Sequence, residues 1–279
     1  MNPLIALVLL GLVPLPIHDD AARCREVLDE LALPEISFGS LIVEAGQHFM
    51  GRPYVGYTLE AEGPEQLVVN LSQFDCFTFM ETSIALAHTA RSPQATFATY
   101  RAALQDLRYR QGVISGYASR LHYTSDWAYD NQAAGLVVDR TLSLGGIPYK
   151  KDIHFMTQHR KSYQQLKANR HFRAMRRVER QLNKHKRYYL PKASIPDIEH
   201  LIEVGDILAI TTTIEGLDIV HVGFAIFRET RLHMLHASST TNQVMITQKP
   251  LAQILAKSET RSGIMVFHPL RPKAPSAEQ

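Results

Sequence analysis

The chain has 279 residues, of which 45% are hydrophobic and 20% are charged, and its net charge is +3. This composition is that of a globular protein and excludes a disordered chain. Its 2 cysteines are too few for a disulfide scaffold. The length is sufficient for one large domain or two small ones.

The chain begins with an uncharged apolar run from Pro3 to Val13. This run is too short to span a bilayer and is typical of the hydrophobic part of a secretory signal. We therefore expect residues 1–20 to be a signal or apolar leader, with export of the protein and no stable membrane insertion. Because no Lys or Arg precedes the run, the alternative is a buried N-terminal element in a cytoplasmic protein.

Apolar side chains with helical spacing predict helices in the first third of the chain. One helix covers 21–33 and ends at Pro34, and a second extends up to Met50 before a loop rich in Gly and Pro. A third helix begins at Cys76 and ends near residue 91, with Asp75 as its N-cap. Residues 92–111 are predicted to form a fourth helix.

The middle of the chain is loop-rich over 112–157 and strongly basic over 158–187. The basic segment has eleven Lys and Arg against a single acid, Glu179, and predicts a long helix that ends before Pro191. Such a segment suits nucleic acid or an acidic membrane surface. The alternative is a solvated helix face or an insertion beside a cleft for an acidic substrate. The modest overall charge favours this alternative, so we expect no nucleic-acid partner.

Short segments rich in β-branched residues follow Gly205 and predict an antiparallel meander. The segments are GDILAITTT, DIVHVGFAIF, RLHMLHASS, NQVMITQ and GIMVFHPL. The tail over 271–279 is expected to be disordered. The chain thus predicts an α+β fold in which helices come first and a sheet follows over 201–270.

Cys76 lies in the first turn of its predicted helix. Unpaired backbone N–H groups and the helix dipole favour a negative charge there, which lowers a thiol pKa. The position thus gives Cys76 a reason to ionise, although position alone favours an inert buried cysteine. The other cysteine, Cys24, is also expected to be a free thiol.

A nucleophilic thiol needs a base and a group that orients the base. His221 lies on a predicted strand with Gly223 and Ala225 on the same face, and the next strand can bring His236 close to it. No paired-cysteine or H-E-x-x-H spacing is present, so we expect no metal. The sequence also lacks a G-x-S-x-G elbow, a P-loop and a dinucleotide fingerprint, and no other cofactor is expected.

Four motifs in order resemble the NlpC-type cell-wall hydrolases, a branch of the papain-like cysteine peptidases. They are GRPYVG at 51–56, FDC at 74–76, HVGFAI at 221–226 and HASS at 236–239. The resemblance implies an α+β papain-like core, in which a nucleophile helix packs on an antiparallel sheet and a helical subdomain is added. It implies a single catalytic domain over 21–270, with helices over 21–90, a helical insertion over 91–200 and the sheet over 201–270.

The resemblance also implies roles for individual residues. Cys76 matches the nucleophile, His221 the general base, His236 the orienting residue and Tyr54 the tyrosine that helps to bind the oxyanion. Asp75 matches the residue before the nucleophile and is placed with the substrate-binding residues in a structural role.

Asp-Cys-Phe-Thr-Phe replaces the usual Asp-Cys-Ser-Gly of these hydrolases. With the 91–200 insertion and the SRLHYTSDW segment, this resembles a subfamily first described as a domain of unknown function. Its studied members are similar to N-acetylmuramoyl-L-alanine amidases that favour 1,6-anhydromuramyl peptides. The resemblance implies a cysteine acyl-enzyme, muramyl peptides from peptidoglycan as substrates, a role in cell-wall recycling and a periplasmic location.

Further residues are expected to bind the substrate. Arg120 and Arg52 would pair with carboxylates of the peptide stem, and Tyr123 and Trp127 would pack against sugar or peptide, unless these aromatic side chains serve only internal packing. The open alternatives in function are a D,L-endopeptidase that cuts within the stem, an acyltransferase, and a non-enzymatic nucleic-acid or envelope-binding module that uses 158–187.

Overall fold

The structure is a computed structural model that describes residues 19–32, 35–60 and 63–271. Residues 1–18 of the predicted leader, Pro34, and residues 272–279 of the predicted tail lie outside the described residues. No helix within the described ranges is long and apolar enough to cross a membrane.

Helices occupy the predicted places in the first third of the chain, with slightly shorter bounds. The helices of the described residues are α1 (Asp20–Leu31), α2 (Phe38–Gln47), α3 (Cys76–Ala90), α4 (Phe97–Arg108), α5 (Thr124–Ala133), α6 (Phe155–Gln158), α7 (Asn169–Leu182), α8 (Ile195–Ile198) and α9 (Leu251–Ala256). The α5 helix lies in the stretch that was predicted to be loop-rich, and its Trp127 and Asn131 are fully buried.

The strands form one sheet whose pairs are antiparallel. They are β1 (Val137–Asp139), β2 (Ile147–Pro148), β3 (Tyr188–Pro191), β4 (Ile207–Thr212), β5 (Ile219–Arg228), β6 (Arg231–Ser238), β7 (Gln243–Ile246) and β8 (Arg261–Pro269). The order across the sheet is β2-β3-β8-β4-β5-β6-β7, and β1 also pairs with β8. The α+β class is therefore confirmed.

The predicted meander is right for β4 to β7 and wrong for the last strand. The chain leaves β7, forms α9 and returns so that β8 pairs with β4, for example at Leu208 and Val266. The physical reason is burial, since β4 has all of its residues buried and needs a hydrogen-bonded neighbour on both edges.

The 91–200 segment is not purely helical, because it supplies β1, β2 and β3. The basic segment within it is also not one long helix, since only α7 is a regular helix of 14 residues. On each side of α7 an arginine folds back onto backbone carbonyls: Arg160 donates to Leu166 and Lys167, and Arg187 to Leu182 and Lys151. These bonds stabilise turns where the charge pattern predicted helix.

The sheet separates two apolar clusters, and α3 lies on one face. On that face Phe79 of α3 packs against Phe224 of β5 with ring centroids 5.9 Å apart. On the other face α9 contributes Leu251 and Leu255 to the second cluster. Every residue of α3 from Thr78 to Thr89 is buried. The helix is therefore covered on all sides and is a central element of the fold.

A buried ion pair joins α3 to α4. Arg108 donates from Nε to Glu81 Oε2 at 2.6 Å, and the side chains are 3% and 0% exposed. Arg108 also donates to the carbonyl of Val68. Burial raises the pKa of Glu81, and the neighbouring guanidinium opposes that rise. Removing one partner leaves an uncompensated polar group in the interior.

We predict that Arg108→Met destabilises the protein by about 3–5 kcal/mol, because Glu81 then loses its partner. The double variant Glu81→Leu/Arg108→Met should regain at least half of that loss, since neither polar group remains. Urea unfolding followed by circular dichroism measures both changes. Arg101→Met, an exposed position on the same helix, is the matched control. A double variant as unstable as Arg108→Met would contradict the prediction.

Candidate active site

The start of α3 is built by a capping box. Asp75 Oδ1 accepts from the backbone N–H groups of Phe77 at 3.0 Å and Thr78 at 2.7 Å. In return the Asp75 N–H donates to Thr78 Oγ1 at 3.0 Å. The predicted N-cap is confirmed, and Thr78 of the unusual Phe-Thr pair is needed to complete the box.

Cys76 is partly buried and lies against β5. Its sulfur accepts a hydrogen bond from the backbone N–H of Val222, and this bond and the N–H groups of Cys76 and Phe77 at the helix start lower its pKa. Burial and then the charge of Asp75 act in the opposite direction and win, so the pKa of the thiol rises to about 12. The expectation that the helix start ionises the thiol is wrong for the substrate-free protein, because desolvation exceeds the effect of the helix terminus.

His221 and His236 lie on the paired strands β5 and β6. His221 Nε2 is 2.6 Å from His236 Nδ1, and the rings are nearly perpendicular at 88°. Gly223 provides the space for this contact, since a Cβ there would lie 2.8 Å from His236 Cβ and 2.7 Å from Met234 Cγ. A Cβ there would also lie 2.7 Å from the carbonyl oxygen of Leu235, so the neighbouring strand leaves no room for a side chain at this position.

Both histidines are neutral near neutral pH. Burial, helped by the positive charge of Arg261 and by repulsion from His236 when that ring is protonated, lowers the pKa of His221 to about 3. Burial and Arg261 lower the pKa of His236 to about 4. A neutral pair shares one proton across the contact, so one ring donates and the other accepts. The site therefore rests as a thiol and two imidazoles, without a preformed ion pair.

Tyr54 is held beside Cys76 by the edge of the sheet. Its N–H donates to the carbonyl of Asn242 at 2.9 Å, and it forms a bridge with Phe74. Burial, then the neighbouring Cys76 and Asp75, raise the pKa of its hydroxyl to about 12. The hydroxyl thus stays protonated and is able to donate a hydrogen bond.

Two cavities meet the reactive groups. The first has a volume of about 320 Å³ and contains Cys76 and Tyr54 in its wall. The second has a volume of about 470 Å³ and contains His221 and His236 in its wall. The Cys76 sulfur accepts a hydrogen bond from the backbone N–H of Val222, which follows His221 in the chain. This contact connects the walls of the two cavities.

Arg120 lines the first cavity but is not available to a substrate carboxylate. It is 5% exposed, and its guanidinium lies 2.7 Å from Glu60 and 3.2 Å from Glu65. Arg52 lies in the loop before Tyr54, where its carbonyl accepts from the N–H of Val244. Its side chain is absent from the described walls of both cavities.

Tyr123 and Trp127 lie in the interior. The Tyr123 hydroxyl donates to Glu179 at 2.9 Å and accepts from the N–H of Met156 at 2.8 Å. Trp127 is 0% exposed and meets the ring of Phe77 edge-on with centroids 6.0 Å apart. The internal packing that we kept as the alternative describes both residues, and Trp127 supports α3 through its contact with Phe77.

Several cavity residues were not found by sequence reasoning. Glu60, Tyr57 and Tyr163 line the first cavity, and Arg261 and Lys249 line the second. None of them belongs to a short motif, and they come from loops or strand ends that only the fold brings together. Ser238 of the HASS motif also lines the second cavity.

The family model for N-acetylmuramoyl-L-alanine amidase-like proteins, also described as AmiA-like, matches residues 44–264. The chain belongs to this family. The match includes all four motifs at 51–56, 74–76, 221–226 and 236–239, and it confirms the resemblance to these amidases.

Solved structures support the assignment to the amidase-like family. An N-acetylmuramoyl-L-alanine amidase from Bacteroides uniformis is 36% identical, with a TM-score of 0.81 over 84% of this chain and 99% of that one. A proposed xylanase from Bacteroides fragilis is also 36% identical, with a TM-score of 0.77 over 80% and 99% of the two chains. A protein from Legionella pneumophila at 21% identity and a TM-score of 0.70 shows the fold alone, over 90% and 95% of the chains. No curated protein matches the chain.

Among the described residues of this amidase-like protein, no group of three or more His, Cys, Asp or Glu side chains could hold a metal ion. The chemistry that these residues offer is that of a thiol, two imidazoles and a phenol.

We predict that iodoacetamide alkylates Cys76 slowly at pH 7 and about tenfold faster for each further pH unit, because only the thiolate reacts. Mass spectrometry of the intact protein measures the rate. Cys76→Ser is the control, since it leaves only Cys24, whose burial also raises its pKa to about 12. A rate that levels off below pH 8 would show a preformed thiolate and contradict the prediction.

Proposed function

We propose that the protein is a cysteine amidase that hydrolyses the amide between N-acetylmuramic acid, in its 1,6-anhydro form, and the L-alanine of a peptidoglycan peptide. The observation that carries the proposal is the contact set at the start of α3, where the Cys76 sulfur meets β5 beside the bonded pair of His221 and His236. Membership of the amidase-like family supports the substrate class.

The arrangement is compatible with an NlpC-type, papain-like core. In this protein, as in such a core, a helix that begins at the proposed nucleophile packs on an antiparallel sheet. Adjacent strands supply the base and the residue that orients it. Here these elements are α3, β5 and β6.

The hydrogen bond between the histidines decides the tautomer in the proposed mechanism. His221 Nε2 is hydrogen-bonded to His236, so the other ring nitrogen of His221, Nδ1, is left to accept the proton of the thiol. For Nδ1 to accept a proton, the Nε2 of His221 must carry hydrogen and donate it to His236 Nδ1. His236 thus holds the base in its working form and also stabilises the positive charge that develops on it.

The acylation step transfers a proton as the bond to sulfur forms. Cys76 Sγ attacks the lactyl carbonyl carbon while its proton passes to His221, because the resting thiol is not ionised. The tetrahedral oxyanion is stabilised by the Tyr54 hydroxyl and a backbone N–H at the start of α3. His221 then gives the proton to the leaving amine of L-alanine, the C–N bond breaks and a thioester remains.

Hydrolysis of the thioester completes the cycle. A water molecule gives one proton to His221 and attacks the carbonyl carbon, which forms a second tetrahedral oxyanion. The C–S bond breaks, His221 returns its proton to the sulfur and the muramic acid leaves with a free carboxyl group. The products are the sugar acid and a peptide with a free amino terminus.

Cleavage of a glycosidic bond, suggested by the name of the Bacteroides fragilis neighbour, has less support in this site. Such cleavage uses a pair of carboxyl groups that flank the bond. The carboxylates of the first cavity are engaged elsewhere: Glu60 with Arg120, Glu81 with Arg108 and Asp75 with the helix start.

The N-terminal apolar run from Pro3 to Val13 supports export. A periplasmic enzyme of this kind would act on peptidoglycan fragments where they are released.

We predict that the wild type releases the intact tetrapeptide from anhydromuramyl-tetrapeptide and that Cys76→Ala releases none. Mass spectrometry of the products identifies the bond. Cys24→Ala, which changes the other thiol, should keep full activity if it folds. Cleavage deeper in the stem by the wild type would replace the amidase by the D,L-endopeptidase. Undiminished turnover by Cys76→Ala would remove the cysteine mechanism.

We predict that His236→Ala lowers kcat/KM by about 100-fold, since a misoriented base loses most of its catalytic effect. His236→Gln should restore part of it, because its amide oxygen can accept from His221. Steady-state kinetics on the same substrate measure the effect.

The wild type should keep its kcat/KM between about pH 7 and pH 5, because His221 with a lowered pKa stays neutral well below the usual value of about 6.5. Activity is lost toward low pH because His221 acts as a base only in its unprotonated form. A half-maximal loss near pH 6.5 would contradict this.

A further inference from the structure

Two cations line the second cavity. Arg261 and Lys249 share its wall with His221 and His236. Within the described residues, neither cation is in salt-bridge contact with an Asp or Glu side chain. An arginine that is partly buried beside reactive groups and lacks an acid is suited to binding an anion.

The first cavity has the opposite electrostatic character. Its wall contains three carboxylates, Glu60, Asp75 and Glu81, against two guanidiniums, Arg108 and Arg120. Both arginines are already in contact with carboxylates, as Glu65 adds a second acid to Arg120. An anionic ligand group is therefore repelled from the first cavity and attracted to the second.

The second cavity also offers neutral donors. Its wall contains the hydroxyl residues Ser238, Ser239 and Thr240 and the amide residue Gln248. Hydroxyl and amide groups of this kind satisfy the remaining oxygens of a carboxylate and the polar groups of a peptide backbone. The aromatic rings of Tyr57, Phe77 and Tyr163 lie instead in the first cavity and suit the apolar faces of a sugar.

We propose that the second cavity binds the leaving peptide through the carboxylate nearest to the cleaved amide, with Arg261 as its main contact and Lys249 as an additional one. The muramic acid then occupies the first cavity. This assignment rests on the proposed amidase function. It replaces Arg120 and Arg52 by Arg261 and Lys249 as the residues that recognise the acidic stem.

The test compares two substrates that differ only in this carboxylate, anhydromuramyl-L-alanyl-D-glutamate and its amidated form with D-isoglutamine. Arg261→Gln should raise KM at least about tenfold for the free acid and leave the amidated substrate nearly unchanged, because only the former loses a charge-assisted bond. Lys249→Gln should act in the same direction more weakly. Lys257→Gln, an exposed position at the end of α9, is the matched control.

The amidated substrate separates binding from the effect of Arg261 on the histidines. Arg261 also lowers the pKa of His221 and His236, and a change in these values would alter the rates of both substrates alike. Equal losses on both substrates would overturn the proposed carboxylate contact.

A second measurement does not depend on turnover. Isothermal calorimetry of L-alanyl-D-glutamate with Cys76→Ala should give a Kd that rises about tenfold in Cys76→Ala/Arg261→Gln. The isoglutamine dipeptide should bind both variants alike. If the wild type hydrolyses neither muramyl substrate, the amidase function fails, and the calorimetry still decides the carboxylate site. Equal binding of L-alanyl-D-glutamate to both variants would overturn that site.

Discussion

The backbone N–H of Val222 donates a hydrogen bond to the Cys76 sulfur, and through it the first turn of α3 meets strand β5. On the same side of the sheet Phe79 packs against Phe224, and Gly46 of α2 leaves room for the Phe79 ring. His221 precedes Val222, so the position of Cys76 and that of its candidate base are set by the same strand. The two cavities then lie where the helix and the strand leave space.

Desolvation dominates the electrostatics of this contact. The helix start and three backbone N–H groups favour a thiolate, yet burial and Asp75 keep Cys76 protonated, and burial keeps both histidines neutral. A neutral thiol beside a neutral imidazole avoids the cost of two partly buried charges in the resting protein. In the proposed mechanism charge develops only when the substrate is bound, beside the Tyr54 hydroxyl and the start of α3.

Charge is also distributed unequally across the site. On the Cys76 side, each arginine is held by carboxylates in a network that includes the buried pair of Glu81 and Arg108, so the positive charges serve the fold. On the histidine side, Arg261 and Lys249 lack such partners in the described structure. A sugar and an acidic peptide joined by one amide would meet two environments of matching character on either side of the sulfur.

The sequence predicted much of the framework and less of the site. Helical spacing located α1 to α4, the acid before Cys76 predicted the N-cap, and β-branched segments located β4 to β8. The return of β8 to pair with β4 was not predictable, because pairing depends on which strand has a free, buried edge. Arg120, Tyr123 and Trp127 stand in a polar and aromatic segment that is typical of a binding surface, but their partners Glu60, Glu179 and Phe77 draw them into the interior.

The roles proposed for Cys76, His221, His236 and Tyr54 come from the resemblance to the NlpC-type hydrolases. Local patterns by themselves predicted a cysteine at a helix start and two histidines on neighbouring strands. These depend on contacts of short range in the chain or on strand alternation, which the sequence encodes directly. Only the tertiary structure decided the protonation of Cys76 and His221 and which arginines remain without an acid. Both depend on burial and on side chains such as Glu60 and Arg261 that are far apart in the chain, and a pKa or an ion pair is a property of that assembled environment.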